Sequence, residues 1–244
     1  MTAGTRRLLW PGVMTAGMLA VLLGLGTWQV KRLFWKEALL AQIDGAEAAD
    51  PVALPPFSSR SAMSPFMKVF ATGTFLPDEA ALYGADVRTT PTGPTMGARM
   101  IVPMKQTGGD VILVDRGWVP LSRPNPIDQP PGTVTVSGYV RPGDSPHWFS
   151  AHDDLAARRF FTLDPRTIGN AVGEPNASPF VLVVLAARTA PDSGASEIVD
   201  RWPDPARHLP RPPNSHLSYA ITWYGLAMAL LAIFIVWARR GPIG

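Results

Sequence analysis

Two uninterrupted apolar runs frame the chain, one near each end. Leu8–Val30 and Leu217–Trp237 contain no charged residue. A bilayer core about 30 Å thick needs roughly 20 apolar residues of helix, so each run is predicted to be a membrane span. After Val30 the pattern turns amphipathic: Leu33, Phe34, Ala38, Leu40 and Ile43 alternate with Lys31, Arg32, Lys36, Glu37 and Gln42, with no breaker before Gly45. The first helix is therefore expected to project several turns beyond the membrane.

Between the spans the periodicity changes to that of strands. Lys68–Leu76 alternates, as does Thr133–Val140. Ala98–Lys105 and Asp110–Val119 flank Gln106-Thr107-Gly108-Gly109 and are predicted to form a hairpin. Phe180–Ala187 is apolar throughout, the pattern of a strand buried on both faces. In Asp164–Val172 an Asp N-cap followed by Pro at the first helical position predicts a short helix. Asp50–Pro56, Pro126–Gly132 and Pro203–Pro213 are proline-rich connections. The fold class expected is a membrane protein of α+β type: two transmembrane helices, one at each end, around a β-rich sandwich or partly open barrel with a few short helices. The predicted organisation is a tail at 1–7, a span at 8–30, a helical extension at 31–45, the β-rich domain at 46–216, a second span at 217–237 and a tail at 238–244.

Charge refines this picture. The sequence carries +3 net and has a pI near 9.5, with a mean hydropathy of +0.09. Arg6, Arg7, Arg239 and Arg240 lie outside the spans; removing these four from the 22 Lys and Arg leaves 18, one fewer than the 19 Asp and Glu. The basic pI thus arises in the tails, and a nucleic-acid partner is not expected. Arginines at both ends favour cytoplasmic tails with the domain on the opposite face, although Lys31, Arg32, Lys36, Arg207 and Arg211 flank the spans on the other side. The first run is too long for a signal peptide and ends in Gly26-Thr27-Trp28-Gln29-Val30-Lys31, with bulky residues where a signal peptidase requires small ones. Seven residues before it leave no room for a mitochondrial transit peptide, so the expected location is a bacterial inner membrane. Absence of cysteine excludes disulfides and thiolate metal sites. No P-loop, nucleophile elbow, dinucleotide-binding glycine motif or zinc-protease motif occurs, which points away from an enzyme.

Candidate chemistry gathers at the two junctions between spans and domain. His216 falls in the first turn of the second span, with Tyr219, Trp223 and Tyr224 three, seven and eight residues on. An imidazole there can ligate a haem iron, flanked by aromatic rings. An interfacial belt of Trp and Tyr has the same composition. At the exit of the first span Trp28, Arg32 and Trp35 share a face, and Arg32, like Lys36, can meet a propionate or simply snorkel. If the spans pack antiparallel, both clusters lie at one membrane surface. Met96, Met100 and Met104 can share a strand face, a Cu(I) pattern that also fits ordinary core packing. His147 and His152 lie near Asp153 and Asp154 without a recognisable further ligand. His208 stands among prolines and is expected to be solvated. Asp115-Arg116-Gly117 suggests a local ion pair at a bulge.

Three stretches in order resemble one family. Gly26-Thr27-Trp28-Gln29-Val30-Lys31-Arg32 with Trp35-Lys36, then Val114-Asp115-Arg116-Gly117-Trp118-Val119-Pro120, then His216-Leu217-x-Tyr219 with Thr222-Trp223-Tyr224-Gly225-Leu226 are similar to the signatures of the surfeit locus protein 1 family. That resemblance covers nearly the whole chain and implies a part in assembling cytochrome c oxidase. It implies haem a as a transient ligand, His216 as the candidate for its iron, and a periplasmic or intermembrane-space domain. Trp28, Arg32, Arg116 and Gly117 match motif positions without a defined chemical role, and Pro146–Phe161 matches only loosely. The expected site is His216 with Tyr219, Trp223, Trp28, Arg32 and Arg211. Expected partners are cytochrome c oxidase subunit one, haem a synthase and membrane lipid. The alternative is a clamp for nascent oxidase subunits that never touches haem.

Overall fold

The structure is a computed structural model. It describes residues 3–122, 127, 130–145, 148, 150–186 and 202–240. The chain divides into two compact units, one made of residues 1–44 and 210–244, the other of residues 45–209.

In the first unit, helix α1 spans Ala3–Ala48 and the C-terminal helix spans His216–Arg239. Among the described residues these two helices are long and apolar enough to cross a membrane. On α1 the most protected positions of the apolar run are Leu22, Gly26 and Gln29, spaced four and three apart; on the C-terminal helix they are Ala220 and Ala227, seven apart. This is the seam spacing of two helices packed lengthwise. Gly12 faces Phe234, Gly26 faces Tyr224 and Gln29 meets His216, so ascending numbers on one helix meet descending numbers on the other. The pair is antiparallel. Small residues in the seam let the backbones approach, which is how helices associate where lipid leaves no hydrophobic drive.

In the second unit the strands are β1 (Val52–Ala53), β2 (Lys68–Phe75), β3 (Ala81–Thr90), β4 (Gly93–Gln106), β5 (Val111–Pro120), β6 (Thr133–Pro142), β7 (Arg159–Phe160) and β8 (Phe180–Val184). Helix α2 spans Pro165–Ala171, which makes the C-terminal helix α3. Among the described residues the strands form one sheet in the order β1-β2-β6-β8-β5-β4-β3-β7. β2 also pairs with β4 through Gly73–Gln106, Thr74–Lys105 and Phe75–Met104, so β2, β6, β8, β5 and β4 close into a ring. Closure removes the exposed edges that such strands would otherwise present.

The ring follows from the residue pattern. β2 alternates buried and exposed positions, the mark of a strand with one wet face. β5 and β8 are buried on both faces and pair in parallel. Val69, Met100, Val102, Ile112, Val114 and Leu182 fill one side of the sheet. The other side packs Ile101, Leu113 and Val181 against Ile168 and Val172 at α2 and Phe160 on β7. α2 begins as expected: the Asp164 carboxylate accepts from Arg166 N–H at 3.1 Å and from the Thr167 hydroxyl at 2.6 Å.

Three expectations change. The Asp115 carboxylate is buried, but its cationic partner is Arg99 of β4 rather than the adjacent Arg116, whose guanidinium lies 4.8 Å over the Phe75 ring. Gly117 N–H donates to the same carboxylate at 3.0 Å. Met100 and Met104 are core residues while Met96 is 50% exposed, so the three do not present one thioether face. The proline-rich stretch after Pro203 is more than a connection. Trp118 and Asp204 exchange backbone hydrogen bonds at 2.8 Å, Leu185 bridges Ala206, and Leu209 is buried. β3 was not anticipated from the sequence and lines up against the first half of β4.

Candidate functional site

α3 starts where prolines stop the preceding chain. Pro212 and Pro213 precede Asn214, whose side-chain oxygen accepts from the His216 N–H at 3.4 Å. The Ser218 hydroxyl closes back on the Ser215 carbonyl at 2.7 Å. His216 thus occupies the first helical position, in line with the end of the apolar run of α1. There its Nδ1 lies 2.7 Å from Oε1 of Gln29. Gln29 is 8% exposed and His216 is half-buried. Two turns further along α3 the Tyr224 hydroxyl lies 3.1 Å from that of Thr27, which also donates to the Leu23 carbonyl at 2.8 Å. The seam between the helices is therefore apolar and small-residue for most of its length, with two polar ties near its end.

The residues singled out by sequence fall around these ties in different ways. Trp28 is 55% exposed and Tyr219 is 53% exposed, both on outward faces; Trp223 is half-buried. The Arg32 guanidinium stacks 3.8 Å over the Trp35 ring. Arg211 pairs with Asp44 at 2.7 Å, with both side chains more than half exposed. Hence the structure joins His216 to Gln29, Arg32 to Trp35 and Arg211 to Asp44, and leaves Trp28 and Tyr219 as open aromatic surface. His147 lies outside the described residues; His152 and His208 are exposed. Among the described residues no three His, Asp or Glu side chains converge into a metal-binding cluster.

Gln29 was not among the expected site residues, nor were Thr27 and Asp44, whereas Tyr224, like His216, meets α1 as its spacing of eight predicts. A signal for Gln29 was present: it is the only carboxamide in the uncharged run Leu8–Val30 and continues the Leu22, Gly26 spacing. A polar side chain in such a run requires a partner, because hydrocarbon supplies none.

The residues present are compatible with a haem. Imidazole is a haem-iron ligand type, the outward rings of Trp28 and Tyr219 offer apolar faces, and Arg32 and Arg211 supply cations for carboxylates.

The fold defines a membrane protein with an antiparallel helix pair and, formed by the chain segment that connects the two helices, a small closed β-barrel unit. The profile of the SURF1 family matches residues 16–228, and the chain belongs to that family. Among its relatives, a SURF1-like protein of Monosiga brevicollis is 31% identical over 236 residues, covering 91% of this chain and 85% of the relative. A SURF1-like protein of Rickettsia conorii is 27% identical over 223 residues, covering 90% and 88%. Human surfeit locus protein 1 is 26% identical over 240 residues, covering 91% and 75%.

Proposed function

We propose that this protein is a non-enzymatic assembly factor for a haem–copper cytochrome c oxidase, receiving haem a at the helix junction and releasing it to subunit one. The observation that carries this reading is the His216 imidazole, tied to Gln29 at the point where both apolar runs end. Haem a is the cargo: a flat apolar macrocycle with a long isoprenoid tail and two carboxylates. Its tail and ring belong in lipid, and its carboxylates belong in the headgroup layer. The junction offers a matching order of groups. On α3 the rings of Trp223 and Tyr219 lie on the span side of the imidazole, and Arg32, Lys36 and Arg211 lie on its other side. One imidazole holds iron less firmly than two, which suits a protein that must release what it binds. The same reading places the β-barrel unit on the periplasmic face of a bacterial inner membrane, opposite the arginines of both tails. Haem a synthase would be the donor.

The test is optical. Protein purified from cells that make haem a is expected to show a Soret band, and His216→Ala to lose it. If wild-type and His216→Ala protein both lack haem yet retain oxidase subunits equally in a pull-down, the protein is instead a clamp for nascent subunits.

A further inference from the structure

We propose that Gln29 is a positioning residue that holds His216 in the Nδ1–H tautomer, so that Nε2 is left as an unprotonated ligand atom. The proposal deepens the haem reading above and rests on it for its purpose, though the tautomer itself is a property of the chain alone.

Oε1 of Gln29 is an acceptor, and it lies 2.7 Å from His216 Nδ1. With the amide turned so that Oε1 rather than its NH2 meets the ring, the contact at that distance puts the proton on Nδ1. A neutral imidazole carries one ring proton, so Nε2 then holds a lone pair. Free in water, a histidine ring prefers the opposite tautomer, which would cap Nε2 with hydrogen and close it to a metal. A ligating histidine whose other nitrogen donates to an oxygen acceptor is the usual arrangement in metal sites, because the acceptor fixes both tautomer and ring orientation.

Three further observations show that the acceptor is itself held. Gln29 is buried at 8% exposure, so an alternative partner from water is scarce. It sits one turn from Gly26, where a β-carbon would fall 2.8 Å from the Tyr224 ring, so the two helices are in contact there. The Thr27–Tyr224 hydroxyl contact fixes the register of the same two helices. A shift of either helix by one residue would carry Gln29 off His216. The seam is thus a device that aims an amide oxygen at one ring nitrogen and leaves the other without a proton.

The experiment uses the full chain in detergent micelles with 15N-labelled histidine, at about pH 9, above the ordinary histidine pKa of ~6.5. The sequence has four histidines, and His216→Ala identifies the signal in question. Wild type is expected to show a protonated Nδ1 and a bare Nε2. Gln29→Met keeps the length and loses the acceptor, and is expected to move the ring toward the Nε2–H tautomer; Gln29→Glu is expected to keep Nδ1–H. A wild-type spectrum with Nε2–H, or an unchanged tautomer in Gln29→Met, overturns the proposal. Should Gln29→Met fail to fold, the wild-type and Gln29→Glu spectra still decide. A parallel titration with haemin reads the consequence. Gln29→Met is expected to weaken binding about 10–100-fold and Gln29→Glu to retain it. If wild type binds no haemin while the Nδ1–H tautomer is seen, the haem reading fails and the positioning contact stands.

Discussion

Gly26 faces the ring of Tyr224 so closely that a β-carbon at position 26 would lie 2.8 Å from Cε1 and 2.9 Å from Cζ. Only the absence of a side chain permits that approach. The first prediction follows. Gly26→Leu must push the helices apart, at an overpacking cost of about 1–3 kcal/mol, and separate Thr27 from Tyr224 and Gln29 from His216. Gly26→Ala asks less, because the ring end can swing. Thermal unfolding in detergent should rank wild type above Gly26→Ala above Gly26→Leu, and, if the proposed haem site is real, haem content should fall in the same order. Equal haem content in Gly26→Leu and wild type would show that seam spacing does not govern the site.

A second close approach holds the segment after Pro203 to the barrel unit. Gly117 has φ +126°, and a β-carbon there would fall 2.1 Å from the Asp204 carbonyl oxygen. Both backbone and neighbour forbid a side chain. Gly117→Ala is expected to cost more than about 3 kcal/mol, since strain and a backbone clash add. Limited proteolysis should then open the chain near Pro203–Pro210 well before it opens wild type.

The Asp115 carboxylate is 1% exposed and accepts from the Arg99 guanidinium and from Gly117 N–H. Removing the charge leaves a partly buried arginine uncompensated. Asp115→Ala should cost about 3 kcal/mol. At roughly 2–4 °C per kcal/mol for a unit of this size, the melting temperature should fall by about 6–12 °C. Differential scanning fluorimetry of the full chain measures it; a fall under 2 °C would mean that the pair contributes nothing net.

Burial pushes the Tyr139 phenol above its ordinary pKa of 10.0, against the pull of Arg99, and burial likewise raises Tyr83. A group whose folded pKa exceeds its unfolded value contributes stability that is intact below the unfolded value and is lost as pH rises through the folded one. Wild type should therefore lose stability as pH climbs above 10. Tyr139→Phe should lose less over the same range, as followed by denaturant midpoints together with phenolate absorbance.

How far these relationships could be read in advance depends on how local they are. Thr133–Pro142 was legible because one wet face imposes alternation, and Phe180–Val184 because two buried faces remove it. β3 was not, because Gly84 at φ +70° and a register shift between Tyr83 and Asp86 break its period. Ring closure rests on a few cross-strand pairs between β2 and β4, which no local pattern encodes. His216 was legible as a candidate from its place at the start of a span. Its partner was not, because Gln29 lies 187 positions away and meets it only through the register of two helices.

The last prediction concerns Arg211, which the structure pairs with Asp44 at 2.7 Å on an exposed surface, both side chains being more than half accessible. Exposed ion pairs are worth at most about 1 kcal/mol, so Asp44→Asn should leave the melting temperature nearly unchanged. Its effect on cargo should be larger. In the proposed site Arg211 meets a haem carboxylate, and Asp44 competes with that carboxylate for the same guanidinium. Asp44→Asn should then tighten haemin binding, most clearly at low salt where the competition is least screened. Arg211→Gln should weaken binding and abolish the effect of Asp44→Asn in the double variant. If Asp44→Asn tightens haemin equally with and without Arg211, the gain is general electrostatics, and Arg211 has no place at the carboxylates.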